Sequence, residues 1–529
     1  MFLPPLARRQ LLRVGAALCL PLPLRALANP HFDVRSHGAK GDGRSLDTDA
    51  INRAIGAAAA AGGGTVVFPA GQYLSFSIRL QSRVILHLGA GATLIGADPA
   101  VDKGSYDLAE PNPWDAYQDF GHSHWHNSLI WGENLDDIGI TGPGRIYGRG
   151  LTHGGPGPRR PFKPGDMPLS LNGADPHNEK VVVKEFGVEM IGKGNKAIGL
   201  KNCRNVLLRD FSIFNGGHFA LLATGVDHMT IDNLRVDSDR DGFDIDCCRH
   251  VRISNCGINT PNDDAICLKS SYALGAPRFT ENVTIVNCHV SGFDLGSYLD
   301  GTFKRTQQKA PDMDGVTGRI KMGTESNGGF RNITISNCVF ERCRGLAIES
   351  VDGGVIENIT VDNLAMRDLT SAPLFIRLGR RMRAPEGTPI GAIRHINISN
   401  VVVHNADARF ASSVSGIVGH PVEDIRISNL TVVHRGGGTR ADAEREMPDN
   451  EASYPEPSMF GVTSAHALFA RHVRNLALSQ VTVHSMAPDL RPGLVLHHVD
   501  GASLERVQLP AGGQRLATRN VKSLSDPGA

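Results

Sequence analysis

The sequence predicts an all-β chain wound as a right-handed parallel β-helix of about ten coils, with a short helix capping its N-terminal end. Three observations carry this. First, a unit alternating apolar and polar residues recurs as NVLLRDFSI from Asn205, HMTIDNLRV from His228 and HVRISNCGI from His250, starts that lie 23 and 22 residues apart. It continues from Asn282, Asn332, Asn358, His395, Asp424 and Asn475, where the longer gaps mark inserted loops. Second, no unit can bury its own apolar face, so the units must stack, and each is too short for the roughly forty residues and four strands of a propeller blade. Third, 60 glycines with 6% aromatic residues fit tight turns better than helical bundles.

Met1 to Ala28 reads as a targeting segment. Arg8-Arg9-Gln10-Leu11-Leu12 is twin-arginine-like, an apolar stretch runs from Val14 to Leu24, and Ala26-Leu27-Ala28 offers a small-residue cleavage site. The apolar run is too short to span a bilayer, so the expectation is one exported catalytic domain over residues 29–529 with no membrane span. Lysine plus arginine (55) balances aspartate plus glutamate (54), which argues against a nucleic-acid partner. In Phe32 to Leu74, Asp47 or Thr48 can cap a helix running to about Ala61, and Gly62-Gly63-Gly64 stops it. The strands that follow make this helix a plug for the stack, which is predicted to run from about Phe32 to Leu516.

Cys256, Cys288 and Cys338 share a repeat position that Leu234, Leu364, Val401 and Leu430 fill elsewhere. Cysteine there acts as a small apolar residue, so buried free thiols are expected rather than disulfides. Loops between coils should line a cleft. All three tryptophans fall within Trp114 to Trp131, where His122, His124 and His126 alternate and would share one face of a strand as a possible metal site. His153 to Pro168 reads as an exposed Gly/Pro-rich loop, and Arg435 to Pro457 as a second, charged one.

Carboxylates concentrate in Asp237 to Ser270, first as Asp239, Asp241, Asp244 and Asp246, then as the adjacent pair Asp263 and Asp264. A repeat of about 22 residues would set the two groups side by side. Asp is common at turns, and Asp237, Asp239 and Asp246 fit that reading. The pair after Thr260-Pro261-Asn262 is harder to place so. Crowded carboxylates repel one another, and acid–base work on a glycosidic bond or metal binding would justify them.

Arg240-Asp241-Gly242-Phe243-Asp244 resembles the Asn-Thr-Asp-Gly-Phe-Asp of glycoside hydrolase family 28, the polygalacturonase-like inverting pectinases. Asn262-Asp263-Asp264-Ala265-Ile266-Cys267-Leu268-Lys269-Ser270 is similar to that family's Asp-Asp-Cys-Ile-Ala-Ile-Lys-Ser. The GAKGDG…TVVFPAG stretch, Gly38 to Gly71, is shared across the wider pectate-lyase-like superfamily. The resemblance implies that Asp263 protonates the leaving oxygen while Asp241 and Asp264 activate water, with no metal or organic cofactor. An inverting pair is expected roughly 6.5–9.5 Å apart. Counting back from Gly323, the histidine of the family's His-Gly falls on Gly318, or on Thr317 if the loop is one residue longer, and its Arg-Ile-Lys falls on Ala347-Ile348-Glu349. In the family that Arg and Lys hold a galacturonate carboxylate, which Glu349 would repel. His218, Asp244, Lys269, Thr317, Lys321, Arg344 and Glu349 are therefore the expected substrate contacts. The expected substrate is a rhamnose-containing pectic polysaccharide or oligosaccharide. The rival readings are a calcium-dependent lyase with Lys269 as base, and a non-catalytic carbohydrate-binding β-helix.

Overall fold

The computed structural model describes residues 30–118, 121–153, 190–310 and 315–527. The targeting segment and all of the His153 to Pro168 loop except His153 lie outside the described residues.

The repeats become coils of three short strands. Lys196–Lys201, Arg204–Arg209 and Ser212–Phe214 form one coil, Phe219–Thr224, Asp227–Asp232 and Arg235–Asp237 the next. Each strand pairs in parallel with its counterpart one coil on, so three parallel sheets run along the axis. The second residue of the repeat builds a single column: Val206, Met229, Val251, Val283, Ile333, Ile359, Ile396, Ile425, Leu476 and Ala502 stand in register, all buried. Alternation of apolar and polar residues is thus the alternation of core and surface.

The repeat's first residue has a separate role. From Asn205 to Asn475 the nine starts all have φ between 54° and 58°. Asn, His and Asp tolerate this left-handed corner better than branched residues do. The corner side chains also bond coil to coil: Asn332 Nδ2 donates to Asn282 Oδ1 (3.2 Å) and Asn475 Nδ2 to Asp424 Oδ1 (2.8 Å). A second corner, at Asn233, Asn255, Asn287, Asn337, Asn363, Asn400 and Asn429, repeats the arrangement.

The predicted cap is present as the helix Thr48–Ala60, which buries Ala50, Ile51, Ala54, Ile55 and Ala58. Asp47 does not cap it through its side chain; its carboxylate instead accepts from the backbone N–H of Lys40 (2.6 Å) and Gly41 (3.0 Å), tying down the Gly38 to Gly43 turn. The stack extends past Leu516 by one strand, Leu516–Ser525, paired to Leu494–Gln508. All eight described cysteines are buried and free. Among the described residues no helix is long and apolar enough to cross a membrane.

Candidate active site

The carboxylates meet on the first sheet, where two neighbouring coils begin. Asp241 opens the strand Asp241–Asp246, and Asp263-Asp264 form the turn before Ile266–Ser270. Register brings them together: the N–H of Gly242 donates to Asp264 O and that of Phe243 to Ala265 O, both at 3.0 Å. The bend at Asp263 is held by Thr260 Oγ1 (2.9 Å) and by Gly318 N–H (2.8 Å), both donating to its carbonyl. Gly318 has φ 58°, and a Cβ there would lie 2.0 Å from Ser291 O. Gly318 therefore cannot carry the family's histidine, because its backbone is already pressed into the turn that aims Asp263. Thr317 is buried beside it, its N–H donating to Pro261 O (2.9 Å).

The three carboxylates occupy different environments. Asp263 has the most exposed side chain of the three, at 17%, and accepts from Arg240 Nη2 at 2.6 Å. Burial, with Asp244 and Asp263 alongside, pushes Asp241 well above the usual carboxylate range. Asp264 goes the other way: burial would raise it, but Lys321 (3.0 Å) and Arg319 (2.8 Å) hold it well below that range. The site therefore contains one carboxyl that keeps its proton and one that stays ionised. Ligand atoms of His218, Asp241 and Asp263 all lie within 4.8 Å of one another. One carboxylate oxygen of Asp241 thus lies within 4.8 Å of one of Asp263.

His218 is fully enclosed, with Nδ1 against the carbonyl of His153 and Nε2 4.0 Å from Asp241. A carbonyl only accepts, so Nδ1 carries the proton and Nε2 faces the carboxylates as an acceptor. Burial pushes its pKa well below the ordinary value, aided by Arg240 and His122, so the ring is neutral. Asp244 and Lys269 are enclosed as well. Asp244 pairs with His122 (3.0 Å), and Lys269 with Glu325 (3.0 Å) and Asp244 (3.8 Å). Despite its burial, Asp244 and Glu325 hold Lys269 well above its ordinary value. A lysine held toward its ammonium form is a poor base, which disfavours Lys269 in the role a lyase would give it.

The histidine triplet does not form one site. His122 turns to Asp244, His124 to Asp115 (3.0 Å) and His126 to Glu133 (2.8 Å), because this segment is a turn, not a strand. Among the described residues two groups have metal-ligand spacing, His122/Asp241/Asp244 and His218/Asp241/Asp263, and each includes a histidine, unlike the all-oxygen shell that suits calcium. Asp237 and Asp246 end strands, buried, and bond to loops distant in sequence rather than to a local turn, while Asp239 accepts from Asn262 Nδ2 (2.7 Å) and pairs with His153 (3.1 Å). Asp237 accepts from the N–H of Gly296, Tyr298 and Leu299 (3.0–3.1 Å), anchoring the loop after Ser291, and Asp246 accepts from Ser271 N–H (2.8 Å).

The expectation for Glu349 is corrected. It is 0% exposed, and burial pushes it up to about 8 although Lys321 and Arg319 are near, so below that pH it presents no charge to a substrate. Ala347 lies in register with Lys321 under an apolar cluster that includes Met447, Met459 and Phe460, which fill the space an arginine would need. The cations have moved one coil toward the N-terminus, to Arg319 and Lys321. Both Glu349 oxygens lack a hydrogen-bond partner. A carboxyl raised in the folded state contributes stability that is present below its unfolded value, near 4.5, and lost as pH rises toward about 8. Glu349→Gln, neutral at every pH, should thus gain several kcal/mol on the parent between pH 5 and 8. Urea midpoints at the two pH values measure this; parallel pH dependence in parent and variant would refute it.

Sequence reasoning missed Arg319, Tyr454 and Glu456. Glu456 reaches Arg319 (Nη1 to Oε2, 3.1 Å) and Arg344 (2.9 Å), and Tyr454 Oη lies 3.3 Å from Lys321 Nζ. Both arrive on the long charged loop, whose lack of periodicity gave no register to place them.

Over residues 31–106 the chain matches the model of the rhamnogalacturonase A/epimerase, pectate lyase-like family, and over residues 177–307 that of the right handed beta helix region. A probable polygalacturonase of Vitis vinifera is 24% identical over 439 residues, 77% of each chain. An exo-poly-alpha-D-galacturonosidase of Dickeya chrysanthemi is 41% identical over 71 residues, 12% of its length. Short stretches also match alginate-modifying enzymes of Azotobacter vinelandii, over no more than 14% of their length. In fold, a family 28 exopolygalacturonase of Yersinia enterocolitica superimposes with TM-score 0.59 at 20% identity, covering 93% of this chain and 78% of that one.

Proposed function

We propose that this chain, a right-handed β-helix protein of the polygalacturonase-like kind, is a glycosidase that hydrolyses a pectic polysaccharide or oligosaccharide at Asp241, Asp263 and Asp264. The observation that carries the reading is the convergence of the three carboxylates in unequal environments. Asp264, kept ionised by Lys321 and Arg319, takes the proton of the attacking water. Asp263, the most exposed, faces the glycosidic oxygen. Burial, with Asp244 and Asp263 alongside, favours the protonated form of Asp241, and Asp241 and Asp263 lie close enough to supply the acid together.

Flanking loops support action at a chain end. Toward the N-terminus Trp125 packs on Phe219, Leu222 and Ala273, with its Nε1 on Thr224 Oγ1 (3.0 Å). Toward the C-terminus Met447, Met459 and Phe460 cover Ala347, Phe375 and Phe469. Buried apolar clusters thus pack on the first sheet to either side of the triad, as a site that admits one chain end requires. The resemblance to family 28 implies inversion. A rhamnose-containing substrate fits the loss of the family's Arg and Lys at Ala347 and Glu349, and such material lies outside the cell, where the twin-arginine-like segment would direct the protein. Product analysis on a pectic panel, with proton NMR of the newly formed anomer, tests this. Expected are one terminal sugar released by inversion and faster attack on rhamnogalacturonan than on polygalacturonate. Unsaturated products, retention of configuration or rapid mid-chain cleavage of polygalacturonate would each overturn the part concerned.

A further inference from the structure

Two of the cations beside the triad are held by a carboxylate that the chain itself supplies. The stretch carrying it, Met447 to Phe460, is fixed to the outer face of the first sheet. Arg377 Nη2 donates to Asp449 O (2.8 Å), and Arg471 donates to Met447 O and Pro448 O (both 2.7 Å). At the end of this stretch Glu456, 3% exposed, enters between two guanidinium groups that are themselves buried. Its Oε2 accepts from Arg319 Nη1 (3.1 Å) and pairs with Arg344 Nη1 (2.9 Å), while Oε1 accepts from Arg319 Nη2. Arg319 turns its remaining Nε–H to Asp264 Oδ1 at 2.8 Å. A planar fork with a second guanidinium beside it is how proteins seize the carboxylate of an acidic ligand. Here that setting adjoins Asp264 and is already filled.

We infer that Glu456 is a specificity-determining residue: it occupies, from within the chain, the cation pair beside Asp264 that would otherwise take the carboxylate of a uronate, and so reserves that position for a neutral sugar. This rests on the glycosidase reading. An incoming carboxylate would have to displace a buried one already bonded through both oxygens, which offers the uronate no gain. A neutral sugar leaves the pair intact.

The test separates the two readings by using a probe that requires no catalysis. Glu456→Ala removes the resident carboxylate and leaves room between Arg319 and Arg344. Acetate, titrated at low ionic strength and followed by the unfolding midpoint, should bind this variant about tenfold or more tighter than the parent. Acetamide, its neutral analogue, should not. Glu456→Gln, which keeps the volume, should respond to acetate as the parent does. A Glu456→Ala protein that folds only with acetate present supports the inference equally. Acetate that neither stabilises nor rescues Glu456→Ala, or that acts alike on all three proteins, overturns it. In parallel, Glu456→Ala should shift relative turnover toward galacturonate-galacturonate linkages over galacturonate-rhamnose linkages by about tenfold. If no pectic linkage is cleaved by any form, the glycosidase reading fails while the acetate result still decides the role of Glu456.

Discussion

Asp263→Asn should lower turnover by ~10²–10⁴, the usual cost of losing a positioned acid, while leaving the folded state intact. Structure and chemistry are separable at this residue. The turn is held by its backbone carbonyl, which accepts from Thr260 and Gly318, and not by its carboxylate. Asp263 Oδ2 accepts from Arg240 and Oδ1 from the N–H of Asp264, so an asparagine Oδ1 can keep one of these bonds while its Nδ2 turns away from the other donor, a local cost that spares the turn. The defect should fall on kcat, with KM within a few-fold of the parent. A substrate whose leaving group is already acidic, such as a nitrophenyl glycoside, should recover most of the loss because it needs no protonation. Near-parental turnover on the natural substrate would move the acid to Asp241, the neighbouring carboxyl that retains its proton. Asp244 is no alternative, being 0% exposed and committed to His122 and Lys269.

The repeats made the stack legible because one physical requirement recurs in every coil. A residue at the corner must tolerate φ near 55°, and the next must fill the column that runs from Val206 to Ala502. Both leave a mark at fixed spacing, so nine degenerate copies suffice to read it. The triad was legible for the same reason, since Asp241 and the Asp263-Asp264 turn sit one coil apart. What surrounds the triad was not. The loss of Arg and Lys at Ala347 and Glu349 reads as a lost cation site, yet Arg319 and Lys321 lie one coil away on the same outward face. Strand register decides that they reach Asp264, and loop insertions between coils hide the register. Glu456 is harder still: 137 residues separate it from Arg319, and nothing periodic leads up to it. The histidine triplet misled because alternation in a turn carries no common face, whereas in a strand it would.

Arg319→Met should destabilise the protein by about 3–5 kcal/mol, because it strands two buried anions at once. Arg319 is 1% exposed and joins Asp264 to Glu456, each almost fully enclosed. Lys321 still holds Asp264 at 3.0 Å and Arg344 still holds Glu456 at 2.9 Å, which sets the effect nearer the lower figure than the upper. Arg319→Lys should be intermediate: it restores the charge but cannot present one edge to Asp264 and the other to Glu456 together. The pH dependence follows from the direction of the Asp264 shift. A carboxylate held below its unfolded value contributes stability that is present above that value and lost as pH falls through the folded one. The variant forfeits part of that contribution, so its deficit should be full at pH 7 and shrink below about pH 4, where the unfolded chain also protonates. Adding Glu456→Gln to Arg319→Met removes one anion but also takes from buried Arg344 the carboxylate at 2.9 Å, so the two changes should combine non-additively. Urea midpoints of the parent, both single variants and the double variant at pH 7 and pH 4 give the cycle. Strictly additive effects, or a deficit unchanged between the two pH values, would show that Arg319 acts as packing and not as the charge that keeps Asp264 ionised.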